Sequence, residues 1–176
     1  LLGLAFSLAS QAQDTWYPYP HDGKAFDYTD DQLQSAWSQL HAGDLEPYPS
    51  ADQLQQWLTK NAQIRQSIPG FKGDYAALSK QLLAAWRSYH KGDFRHAYEV
   101  GSKLGLAGAY VAERARAINN TYLVPKEQRA VVLAAEYNEL SSKLDDRQLP
   151  YPNLYYNQAY VAGRYSQALS IPTALA

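Results

Sequence analysis

The sequence predicts an all-α fold. Apolar residues recur at steps of three and four along most of the chain, and no stretch alternates strictly enough for a β-strand. Glycines, prolines and capping residues divide the pattern at helix-length intervals.

The helical pattern begins at Thr29. Thr29 or Asp30 serves as an N-cap, acidic residues follow in the first turn, and Leu33, Trp37 and Leu40 recur before Gly43 ends the run. Pro47 and Pro49 interrupt, and Ser50 then caps a second helix with Leu54, Trp57 or Leu58, and Ile64 on its apolar side, stopped at Ile68-Pro69-Gly70. In the third helix Tyr75, Leu78, Leu82, Ala85 and Tyr89 form one stripe, and Gly92 closes it. A further stretch runs through Leu104, and the next keeps Val111, Ala115, Ile118 and Tyr122 on one face. Pro125 opens a helix where its missing N–H costs nothing, with Leu133, Tyr137, Leu140 and Leu144 as the stripe. Two last helices are expected over 152–162 and from 164 to the end.

The first 28 residues differ. Residues 1–12, LLGLAFSLASQA, are uncharged and apolar as far as Ala9, with small residues at Ser10 and Ala12. This pattern predicts the end of a secretory signal peptide cleaved after Ala12, and hence a periplasmic or secreted protein. Residues 13–28 combine aromatics, prolines and a glycine, which disfavours helix and favours an extended strap packed on the first helices. The helical domain occupies 29–176, and the chain ends inside what the periodicity marks as the second helix of a hairpin. A solenoid without a polar cap implies that the natural protein continues. No stretch after the leader has the roughly 18 apolar residues of a transmembrane helix.

Composition removes several kinds of chemistry. The 176 residues suit one domain, and 46% apolar content suffices for a core. A net charge of −1 gives no reason to expect a nucleic-acid partner. There is no cysteine, so disulfides and thiolate chemistry are excluded. The four histidines include no HExxH pair, and no cofactor is expected. The charge is unevenly placed: residues 13–84 carry nine acidic and five basic side chains, residues 85–130 four and eight.

The helices also repeat. Ala36-Trp37-x-x-Leu40-His41-x-Gly43-Asp44-Leu45 recurs as Ala85-Trp86-x-x-Tyr89-His90-x-Gly92-Asp93-Phe94, and a looser copy follows at Ala159-Tyr160 with Gly163-Arg164-Tyr165-x-x-Ala168. Gly92-Asp93-Phe94-x-x-Ala97 and the Gly163 segment resemble the turn of the tetratricopeptide repeat. There a Gly permits the tight turn, an aromatic fills the gap between helices, and a small residue allows a close crossing. The glycines lie 49 and 71 residues apart, unlike the family's period of about 34. The resemblance implies a right-handed superhelical stack of antiparallel hairpins, an α-solenoid, that binds a protein or peptide.

Candidate chemistry is sparse. His41 and His90 hold equivalent positions near helix ends, where an imidazole satisfies free carbonyls more readily than it ligates a metal. Gly101, Gly105 and Gly108 lack the Gly-Lys-Ser/Thr of a phosphate loop and suit a close helix crossing. Glu136 and Glu139 are three apart on one helix, among polar neighbours that predict a solvated face. The leading expectation is therefore an exported scaffold that binds a protein or peptide. Its rival is an exported enzyme acting on cell-wall glycan; a cleft with a buried Glu beside aromatics would favour it, and a long open polar groove would favour the scaffold. The partner surface is expected as a basic strip of Lys80, Arg87, Lys91 and Arg116, lying off the apolar stripes, with small Ala84 among them.

Overall fold

A computed structural model describes residues 15–144 and 148–169. The proposed leader, 1–12, lies outside the described residues, as does the end of the chain from 170. The described residues are helical with no β-strand, as the periodicity predicts.

Among the described residues eight α-helices follow in order. α1 (Asp30–Leu40) starts with a capping box, in which the Thr29 hydroxyl accepts from Gln32 N–H and the Gln32 side chain accepts from Thr29 N–H. Leu33 and Trp37 are its buried residues. Ser50 caps α2 (Ala51–Lys60), which buries Leu54 and Leu58, and the short α3 (Ala62–Gln66) buries Ile64. Asp74 caps α4 (Tyr75–Lys91), whose inner face carries Leu78, Leu82, Ala85 and Trp86. Gly92 ends it in the left-handed conformation at φ 90°, and Asp93 caps α5 (Phe94–Ser102) immediately afterwards.

α6 (Ala109–Ile118) crosses α5 closely through two glycines. A β-carbon on Gly108 would stand 2.1 Å from the Gly101 carbonyl oxygen, so the glycine spacing serves helix contact. Gly108→Ala should lower the unfolding free energy by about 1–3 kcal/mol, seen as a lower urea midpoint at an unchanged slope. An unchanged midpoint would mean that the two helices separate without cost.

A π-helical segment, Asn119–Leu123, continues α6, and α7 (Arg129–Leu144) and α8 (Pro152–Ala168) pack together as a pair. The expected break at Gly163 does not occur. Gly163 is exposed within one continuous α8, and a β-carbon there would meet nothing within 4 Å, so it neither turns the chain nor makes room for a neighbour. The main core joins Leu33, Trp37, Leu54, Leu58, Leu82 and Trp86 to Tyr110, Leu149 and Leu154. A smaller one lies between α6, α7 and α8 around Ala117, Leu133, Leu140 and Val161.

Residues 15–22 carry no regular secondary structure, and within the segment expected to be extended Gly23–Phe26 form a 3-10 helix instead; the strap of 15–22 lies against α4, α5 and Asn119. Trp16 packs on Tyr98 at 5.2 Å between ring centres, and Tyr19 meets Phe94 at 6.2 Å. Gly92 has no side chain where the Tyr19 ring lies, since a β-carbon there would approach it to 2.7 Å. The Asn119 side chain fastens the strap, accepting from Tyr17 N–H at 3.1 Å and donating to the Thr15 carbonyl at 3.0 Å. No helix among the described residues is long and apolar enough to cross a membrane.

Candidate functional site

The connection between α1 and α2 contains Asp44, Leu45 and Glu46 and then Pro47 and Pro49. It forms one wall of a cavity of about 380 Å³, closed on other sides by Trp57, Trp86, Val111, Tyr151 and Asn153. Its lining is mainly apolar, with a few polar groups that converge, the usual composition of a small-ligand site.

Chain folding locates both acids. Glu46 N–H donates to Asp44 Oδ1 at 3.3 Å, and the Trp37 indole N–H donates to the Glu46 carbonyl at 2.7 Å. Between them Leu45 has φ 53°, in the left-handed region that penalises a β-carbon, and its side chain is 80% exposed. From the far end of the chain, Tyr151 OH donates to Glu46 Oε1 at 3.1 Å, and the Asn153 amide donates to Oε2. Tyr110 OH donates to Asp44 Oδ2 at 2.6 Å.

A histidine pair stands behind Asp44. Because a carboxylate only accepts, the 3.0 Å contact from His41 Nδ1 to Asp44 Oδ1 places a proton on Nδ1. On its other side, His41 Nε2 meets His90 Nε2 at 3.3 Å, one ring nitrogen donating to the other. The rings are packed among Trp37 and Trp86, whose own centres lie 5.7 Å apart at 85°.

These surroundings separate the acids. Burial opposes ionisation of Asp44, but hydrogen bonds from His41 and Tyr110 outweigh it and hold the carboxyl below its ordinary range. Burial pushes Glu46 up to about 7, against its bonds from Asn153 and Tyr151 and with help from the Asp44 charge. Burial, and then His41, lowers His90 to about 4.

The histidines therefore do not use helix-end carbonyls as expected; they use Asp44 and each other. Among the described residues, no three His, Asp or Glu side chains come together as a metal site. Glu136 is fully buried rather than solvated, because it lies on the Leu133–Leu140 stripe while its polar neighbours point outward, and it accepts from the Asn120 amide at 2.8 Å. Glu139 joins an ion network with Arg116 at 2.6 Å and Lys143 at 2.7 Å.

The four cations expected in a strip do not form a free basic surface. Lys80 is exposed, but Arg87 pairs with Asp30, and Lys91 pairs with Asp27 at 2.7 Å. Arg116 is only 5% exposed, turned between α6 and α7 by Glu139 and Glu113. Part of the sign difference between the two halves is thus matched within the fold.

Sequence reasoning passed over Glu46. One signal for it was present: the first repeat continues as Asp44-Leu45-Glu46-Pro47 where the second has Asp93-Phe94-Arg95-His96, so the copies diverge where the cavity forms. Comparison with family models, curated proteins and solved structures finds no match.

Proposed function

We propose that this chain is an exported, tetratricopeptide-like scaffold of helical hairpins that binds an extended segment of a protein or peptide, and that the aromatic cavity beside Glu46 is where it does so. The hairpin part rests on α4 and α5 meeting at Gly92-Asp93-Phe94 with Ala97 buried beneath, and on the close crossing of α5 and α6. Export to the periplasm or medium rests on the apolar leader.

One observation carries the binding role. Every carboxylate oxygen of Asp44 and Glu46 already accepts from Tyr110, His41, Tyr151 or Asn153, so both acids are clamped in place as fixed polar groups. Fixed polar groups in an apolar pocket orient a ligand. The test is selection of peptides from a displayed library on the immobilised protein. Selected peptides should bind in solution and lose about tenfold or more in affinity with Trp57→Ala, since an aromatic pocket wall carries a large share of binding energy. Peptides that bind Trp57→Ala as tightly as the parent would place the site elsewhere.

The rival reading, an enzyme on cell-wall glycan, is favoured by the same Glu46: a buried acid held at about 7, next to a carboxyl held low, is the division used by general-acid glycosidases. Incubation with purified peptidoglycan separates the two. Release of soluble fragments that Glu46→Gln abolishes would replace the binding reading; no release is the outcome expected here.

A further inference from the structure

Two carboxylates line the cavity, and no lysine, arginine or histidine does. The donors that reach Glu46, Tyr151 and Asn153, are neutral, and none of the ion pairs among the described residues includes Glu46. A buried acid without a counter-charge is unfavourable when ionised, and here that is expressed as a carboxyl raised to about 7. The backbone accepts a second cost at the same place, the left-handed Leu45 between the two acids. The turn thus holds Glu46 in an apolar wall with no cation paired to it, while Asp44 beside it is met by His41.

We infer that the cavity takes a primary alkylammonium group, its aliphatic stem between Trp57, Trp86 and Tyr151 and its charge against Glu46 and Asp44, as the lysine side chain of an extended peptide presents one. The aromatic walls suit both parts, since methylenes pack on ring faces and a cation is attracted to them. An ammonium fits better than a guanidinium. A guanidinium fork needs both oxygens of one carboxylate open along one edge, whereas each oxygen here already holds a donor. A carboxylate has about four acceptor positions in all: each Glu46 oxygen has taken one donor and keeps a lone pair, whereas Asp44 Oδ1 is filled by His41 and Glu46 N–H, so the separate N–H groups of an ammonium would bond chiefly to Glu46. The inference rests on the cavity being the peptide site, and it adds which side chain enters. The same chemistry could come from a free diamine, so the experiment includes one.

Calorimetric titration at about pH 8, where Glu46 is ionised, compares three probes: acetyl-Gly-Lys-Gly-amide, the same peptide with norleucine for lysine, and 1,5-diaminopentane. The lysine peptide should bind about tenfold or more tightly than the norleucine peptide, a ratio that corresponds to one unit on the logarithmic affinity scale. Glu46→Gln should erase the preference. The comparison of ammonium with methyl uses the unaltered protein, so it holds whether or not the variant folds. Equal binding of lysine and norleucine peptides would overturn the inference and leave the peptide site standing. Binding of the diamine alone would support the ammonium site and overturn its assignment to a peptide. If none of the three binds at millimolar concentration, the inference fails, and the display selection then decides separately whether peptides bind at all.

Discussion

Trp86→Ala should cost about 3 to 5 kcal/mol of folding free energy, a large part of the 5–15 kcal/mol that holds a typical domain together. The indole is 2% exposed and stands at the centre of the aromatic cluster. Its ring lies 4.6 Å from His41, 5.4 Å from Tyr89, 5.6 Å from Tyr110 and 5.7 Å from Trp37 between centres. Removing it takes edge-to-face partners from four rings at once and merges the hole with the cavity that Trp86 lines. Trp86→Phe keeps part of the area and should cost markedly less. Urea unfolding of both variants checks this, and a loss below about 1 kcal/mol for the alanine variant would mean that the cluster closes around the gap.

Glu46→Gln and His90→Gln should tilt the pH dependence of stability in opposite directions. The folded state raises Glu46 from 4.5 to about 7, so it binds that proton more tightly than the unfolded chain. Its contribution to stability is complete below pH 4.5 and is lost as the pH rises through about 7. His90 is lowered from 6.5 to about 4, so its contribution is complete above pH 6.5 and is lost as the pH falls through about 4. Between pH 4.5 and 6.5 the two oppose each other, and in the parent they largely cancel. Without Glu46, stability relative to the parent should rise with pH across that window, by an amount on the order of 2 kcal/mol. Without His90 it should fall by a similar amount. Glutamine suits both positions, since it keeps an acceptor at 46 and an amide donor at 90. Urea midpoints through the window read the result, and variants that both run parallel to the parent would show that neither group is protonated as described.

The cluster around these residues shows what periodicity conveys. α4 was legible in its stripe and its C-terminal end, because Leu78, Leu82 and Ala85 repeat on one face and Gly92 closes it, whereas the Asp74 cap came from the structure. Burial of Trp37 and Trp86 was legible for the same reason. Periodicity says that a face is covered but not by what. Glu46 gains its character from Tyr151 and Asn153, 105 and 107 residues further on, and no local pattern could bring them together. Arg116 failed similarly: it looked like a position beside the stripe, and carboxylates from α6 and α7 turned it inward. Glu136 was missed although its register was visible, because its polar neighbours were given more weight than its place between Leu133 and Leu140. Gly163 was overread, since a glycine breaks a helix only where the backbone needs it to, and the flanking residues of α8 keep helical spacing through it.

The clasp of Asn119 on the strap bears on the order in which this chain assembles. Its two bonds join positions 102 and 104 residues apart, among the longest loops the molecule closes. The groove that receives Trp16 and Tyr19 consists of Phe94, Tyr98 and the glycine turn between α4 and α5, and does not exist until those helices have docked. Contacts of this span contribute late, after the neighbouring helices have reduced the loop to be closed. The strap precedes every described helix in the chain, yet by this ordering it is among the last described segments to find its place.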